Sequence, residues 1–231
     1  MNVAVLFYGK LRWFDIFNTT FTNNFLPALS GHNVHYFANF WEDKPPQDYK
    51  GLTTSIEKLE SFKQIYNPNT ITTTDHISIQ EVRSFFSNAI NKISDNLPNQ
   101  IYSLNNTLSI LDRYQKDNNM SFDLYIKMRT DLAFLSKIKI DNFDNESIYI
   151  CNSKRPLTEY ATDLLLFTRK YDNIKKVCKM GFHFDLILQR LESKENRGLF
   201  YHEEVLADYL VHENIAIKSH DFIIDLARHY K

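Results

Sequence analysis

Short apolar runs of strand length recur along the chain at Val3 to Phe7, Asn33 to Trp41, Leu124 to Ile126, Ser147 to Asn152 and Asp163 to Arg169. Between several of them lie longer stretches in which apolar residues return every third or fourth position, as at Phe14 to Leu29 and Ile101 to Leu111. A period of two suits a sheet and a period near 3.6 suits a helix, so a chain that alternates between them folds as a layered α/β structure. The expectation is one α/β domain over residues 1–231, a sandwich with a mostly parallel central sheet flanked by helices. A sheet of that kind places ligands at the carboxyl ends of its strands. Chemistry is therefore expected just after Phe7, Phe40, Ile126 and Phe167.

The same pattern predicts a strand around Thr70, in "NTITTTD", and helical stripes at Ile79, Val82, Phe85 and Phe86 and again at Ile101, Leu104, Leu108 and Leu111, with Pro98 separating the two helices. Helices are expected at Tyr171 to Arg190 and Glu203 to Glu213, and a last short strand at Ile215 to Ile217. At 231 residues the chain is long enough to bury a sizeable core, and 43% hydrophobic with 24% charged residues describes an ordinary globule.

A formal net charge of -1 gives no global field for nucleic acid or anionic membrane. The two cysteines, Cys151 and Cys178, lack the spacing of a zinc ribbon or a disulfide framework. The first apolar run is too short for a signal sequence or a membrane span. The expectation is a cytoplasmic protein with no membrane span and no nucleic-acid partner.

The stretch "FDLYIKMRTDLAF", Phe122 to Phe134, sets apolar residues in strand order and interrupts them with Asp123, Lys127, Arg129 and Asp131. Alternation puts Lys127, Arg129 and Asp131 on a common side where the strand leaves the sheet. Two readings follow: a site for a diphosphate and a divalent metal, with Asp131 as a metal ligand, or an ion pair between Arg129 and Asp131 that caps a strand. "FYGKLR", Phe7 to Arg12, offers a glycine directly after a strand, then Lys10 and Arg12 before a helix. That suits a phosphate, and equally a plain strand-to-helix turn with solvated cations.

Together "VAVLFYGKLRWFD", "VHYFANFWED", "IYNPNTI" and "YSLNNTLSILDRYQKDNNMSFDLYIKMRTDLAF" resemble a group of GT-A-type glycosyltransferases from bacterial and viral polysaccharide clusters. The shared elements are a Gly-x-x-Arg turn, an aromatic second strand, a Tyr-x-Pro element, a Tyr-Ser-led helix and an Arg-x-Asp strand end, in this order over Asn2 to about Phe167.

The resemblance implies a GT-A-like fold, a nucleoside-diphosphate sugar as donor, a glycan acceptor, and Mn²⁺ or Mg²⁺. It implies Asp131 at the metal with Arg129 and Lys127 nearby, Phe7, Tyr8, Gly9 and Arg12 lining the nucleotide-sugar pocket, and Trp41 at its edge. It further points to Asp163 or the helix-opening Glu203 and Glu204 as general base, and to His220 as a second metal ligand. Each of these has a plainer reading, as a strand-start residue, as acids answering a helix macrodipole, and as a surface or core histidine. The chain departs from the group at Lys127, where Arg is usual, at Thr130, where Pro is frequent, at Asn39, where His or Thr is usual, and in lacking the first acid of Asp-x-Asp. That departure motivates a competing expectation, a noncatalytic carbohydrate-binding or glycan-assembly module.

Overall fold

The computed structural model describes residues 1–42, 54–75, 81, 86, 96–153, 164–194, 200 and 202–230. Asp163 and most of the stretch from Ile77 to Asp95 lie outside the described residues.

β1 (Asn2–Gly9), β2 (Asn33–Glu42), β3 (Thr70–Asp75) and β4 (Leu124–Arg129) form a parallel half in the order β3-β2-β1-β4. The other half is built from β7 (Leu165–Thr168), β6 (Ile148–Ser153), β8 (Ile217–Leu226) and β5 (Leu132–Phe134), continuing the order as β7-β6-β8-β5. Within it β4–β7, β6–β7 and β5–β8 are antiparallel and β6–β8 is parallel. The sheet is thus mixed, which corrects the expected mostly parallel one, because β7 enters between β4 and β6 running opposite to both.

β5 follows β4 after only Thr130 and Asp131, yet stands four places away in the sheet. A flat sheet would separate these strands by about 19 Å, whereas the three Cα steps from Arg129 to Leu132 reach at most about 11 Å. The sheet therefore curls. Its seam brings the end of β8 beside the end of β4, where the Ala227 amide donates to the Asp131 carbonyl at 2.8 Å.

α1 (Phe14–Asn24) and α2 (Ile56–Tyr66) cover one face of the sheet. α2 escaped the sequence expectations although it carries end signals, since the Ser55 hydroxyl accepts from the Lys58 amide at 3.3 Å and Asn67 closes it at φ 42°. On this face Phe7, Phe14, Phe17, Phe21, Phe25, Phe62 and Tyr66 interlock, with the Phe7 ring 5.1 Å from Phe62 and edge-on to it.

The second face is covered by α3 (Asn96–Asp117), α4 (Tyr171–Lys179), α5 (Phe184–Lys194) and α6 (His202–His212). Pro98 falls in the first turn of α3, where its missing N–H is not needed, and most of the helix expected before it lies outside the described residues. The expected helix Tyr171 to Arg190 is split by a 3-10 turn at Met180–His183. A Cβ on Gly181 would lie 2.5 Å from the Phe86 ring, so the chain needs glycine at this close approach.

Candidate functional site

Along β1, Val3, Val5 and Phe7 face the aromatic core while Ala4, Leu6 and Tyr8 face α3. β4 divides the same way, with Leu124, Ile126 and Met128 on the aromatic side. Alternation sends Tyr125, Lys127 and Arg129 to the α3 side, and β1 and β4 are in register, Leu6 opposite Lys127 and Tyr8 opposite Arg129. The charges of β4 therefore share one face, which explains how a core strand carries them.

At the carboxyl end of β4, Arg129 donates from Nε to Asp131 Oδ1 at 2.8 Å and from Nη2 to Asp131 Oδ2 at 2.5 Å. Its Nη1 donates to Gln100 Oε1, in the first turns of α3, at 3.3 Å. Two parallel bonds in a fork hold the guanidinium plane, and the third fixes its rotation. The Arg129 side chain keeps 17% of its exposure, so this oriented cation remains reachable from outside.

The turn after β1 is welded to the same place. Gly9 sits at φ 92°, a left-handed conformation that suits glycine, and its amide donates to Ser103 Oγ at 3.0 Å. Ser103 lies within 2.7 Å of the Asn39 carbonyl oxygen and 3.0 Å of Asn39 Oδ1, so one hydroxyl of α3 ties β1 to β2. Thr130 donates to the Lys10 carbonyl at 2.9 Å, and the Leu11 amide donates to Thr54 Oγ1 at 3.1 Å. Lys10 and Arg12 are half-buried on this fixed loop. Trp41, buried at the carboxyl end of β2, alternates onto the same side as Asn39.

Tyr8, Gly9, Arg12, Trp41, Arg129 and Asp131 are thus placed at one end of the sheet. Lys127 stands one register step deeper, 2% exposed, with its ammonium 5.0 Å above the Tyr8 ring centroid and close enough to the Cys178 thiol to act on it. Burial pushes that thiol well above its ordinary range, and Lys127 opposes the shift. Phe7 is not among them, because its side chain points into the aromatic core and only its carbonyl, accepting from Thr107 at 3.2 Å, meets α3.

Nor does the structure bring His220 to Asp131. Asp131 precedes Leu132, which pairs with Leu226, and His220 lies six residues back along β8, about 20 Å away. The His220 ring is instead packed on Phe143 and Phe222, with Nε2 2.8 Å from the Lys139 carbonyl oxygen. Both Asp131 oxygens accept from Arg129, and among the described residues no group of three or more His, Cys, Asp or Glu converges as a metal site. The described residues do not fit Mn²⁺ or Mg²⁺ at this place.

Glu203 and Glu204 stand half-buried in the first turn of α6, above its apolar stripe Val205, Leu206, Tyr209 and Leu210. Asp225 was missed by the sequence reading. It is 3% exposed on β8 opposite Ala133, diagonal to Asp131 across the seam, and it accepts from the Leu226 amide at 2.8 Å and the Tyr230 hydroxyl at 3.1 Å. A lone acid ending the apolar run Phe222-Ile223-Ile224 was the available signal, of the same kind as Asp131.

No protein-family model matches the chain, and no curated protein matches it. Among solved structures the chain is similar to a nucleoside-diphosphate-sugar pyrophosphorylase from Vibrio cholerae RC9, at TM-score 0.47 and 10% identity over 98% of this chain and 95% of that one. Among the described residues no helix is long and apolar enough to cross a membrane.

Proposed function

We propose that the chain is a glycosyltransferase that takes a sugar from a nucleoside-diphosphate sugar and passes it to a carbohydrate acceptor. The observation that carries this reading is the Arg129 guanidinium, held by Asp131 and Gln100 and still reachable, beside the Gly9 turn with Lys10 and Arg12. The ordered motifs that resemble GT-A-type transferases support it.

When a glycosyl bond to a diphosphate breaks, negative charge develops on the departing oxygen. A cation already oriented toward that position lowers the barrier without reorganising. Asp131 acts in this scheme through Arg129, as a positioning residue that fixes the guanidinium plane. Arg12 and Lys10 face the remaining phosphate charge, Tyr8 and the buried Lys127 form the floor, and Trp41 offers an aromatic wall at the edge. No step is routed through a metal. Asp163, Glu203 and Glu204 are the carboxylates proposed to take the acceptor proton.

The test is release of free nucleotide from a panel of UDP-, GDP- and dTDP-sugars in the presence of mixed oligosaccharide acceptors, with CMP-sugars, which carry one phosphate, as the negative control. Turnover of one donor, reduced roughly hundredfold or more by Arg129→Ala, is expected from the loss of one fixed charge-stabilising donor. Binding of a donor or glycan with no release from any of the panel would replace this reading with the noncatalytic carbohydrate-binding module.

A further inference from the structure

α4 has two sharply different sides. Asn173, Ile174, Val177 and Cys178 are buried against the sheet, whereas Asp172, Lys175, Lys176 and Lys179 recur at i, i+3, i+4 and i+7 along the outer side, with His183 one turn further on. This stripe faces the carboxyl end of α6 across a cleft of about 610 Å³ that Tyr209 and Glu213 help to line. The volume is that of a small-molecule pocket. The cleft also reaches Glu146 and Ala216, next to the amino ends of β6 and β8. Thr168, just before α4, pairs with Tyr125 near the start of β4, so the cleft opens at the opposite end of the sheet from Arg129.

Charge is divided within the cleft. Lys170 pairs with Glu146 at 2.5 Å, and Lys176 pairs with Glu213 at 2.8 Å. Glu213 is held below the ordinary carboxylate range by that Lys176 contact, with smaller help from His183 and His212. Asp172 acts on Lys170. The three carboxylates of the lining thus answer Lys170, Lys176 and in part His183, and the half-buried Lys175 and Lys179 sit on the same wall as a surplus of donors. Lys175 rests 6.0 Å from the Tyr171 ring centroid, which steadies its stem without neutralising it.

We infer that this cleft is a second anion site, which takes a phosphorylated small molecule at the end of the sheet remote from Arg129. Lysine ammoniums meet phosphate oxygens as point charges, and Lys175 and Lys179, about one helical turn apart with the His183 ring beyond them, suit a phosphate or diphosphate group. The cations of the last helical turn also oppose the α4 macrodipole, a role that would show in stability alone.

The test uses the full chain and inorganic pyrophosphate at constant ionic strength, followed by amide chemical shifts. Pyrophosphate is expected to move the amides of Lys175 to His183 and of Glu213 to Ala216, and to do so in the Arg129→Ala variant as well. Lys175→Gln with Lys179→Gln should weaken that response about tenfold or more, since hydrogen bonds to charged groups contribute on this scale. Shifts confined to Gly9, Lys10 and Arg129, or an affinity unchanged in the double glutamine variant, would overturn the inference. So would a double variant that only lowers the melting temperature, because that is the helix-dipole role by itself.

Discussion

The two faces of β1 and β4 are made from alternate residues of the same strands, yet they do opposite things. The face toward α1 and α2 is dry and aromatic, with Phe7 within 6.4 Å of Phe17, Phe21, Tyr36, Phe62 and Tyr66, ring centroid to centroid. The face toward α3 carries Ser103, Thr107, Asn39, Lys127 and Arg129, whose polar groups are bonded to strand carbonyls or to side chains such as Thr72, Thr74, Gln100 and Asp131, or stacked on Tyr8. Polar groups removed from water are costly unless paired, so a fold concentrates them where pairing can be completed or where a ligand completes it. The lesson is a division of labour: one face holds the strands still while the other presents charge at their ends.

The largest expected effect breaks the dry face. Phe17→Ala should cost about 3–5 kcal/mol of stability, as for other buried phenylalanines, measured by chemical denaturation. Donor binding by the folded remainder should be unchanged, since the rings Phe17 packs on, Phe7, Phe14, Phe21, Tyr66 and Phe134, belong to the aromatic core; a loss of binding equal to that of Arg129→Ala would erase the distinction between faces.

Ser103→Ala acts on the other face and sharpens the comparison. It leaves the Gly9 amide and the Asn39 carbonyl without their hydroxyl, at a cost of about 1–3 kcal/mol for a buried unsatisfied group. Unlike Phe17→Ala it should also weaken nucleotide binding, because the Gly9 turn loses its tie to α3. Calorimetric titration of both variants separates the two outcomes.

The smallest effect is a pH dependence to which the aromatic face contributes, alongside Tyr125, Tyr171 and Tyr209 on the other face, whose phenols burial also raises. Burial pushes the Tyr36 phenol up to about 12 and raises Tyr66 as well, with Tyr36 adding to the latter shift. A phenol whose folded pKa is raised stabilises the fold fully below its unfolded value near 10 and loses that contribution as pH climbs through the folded value. Melting temperature should therefore fall between pH 10 and 12, and Tyr36→Phe should flatten part of that decline.

The core strands of the parallel half were readable because β1 is an unbroken apolar run from Val3 to Tyr8, and β2 and β4 are mostly apolar, broken inside only by His35, Asn39 and Lys127. That pattern also placed Arg129 and Asp131 on one side of the strand exit, and the structure joins them as an ion pair. The other half was legible only in part: β6 and β7 fall on the runs read as strands at Ser147 to Asn152 and Asp163 to Arg169, whereas β5 was not expected and β8 was expected only at Ile215 to Ile217. β8 alternates exposed charges such as Lys218 and Asp221 with buried Phe222 and Ile224, and only its pairing to both β6 and β5 shows that it runs for ten residues. Asp225 was hidden for the same reason, since its nearness to Asp131 depends on how the sheet curls. The hydroxyls that weld the Gly9 turn come from Ser103, Thr130 and Thr54, whose partners are far off in sequence and leave no local pattern.

The central claim is that Arg129, fixed by Asp131, receives the diphosphate of a nucleotide sugar. Its most direct test is a thermal-shift screen of the wild type and Arg129→Ala against UDP, GDP, dTDP and CMP and their sugars, once with Mn²⁺ and once with chelator. One nucleotide, supplied at about 100 times its dissociation constant, should stabilise the wild type by about 2.7 kcal/mol, with chelator present, and should stabilise Arg129→Ala, where only the remote cleft remains to bind it, much less. A shift of equal size in Arg129→Ala, or one that appears only with Mn²⁺, would contradict the account.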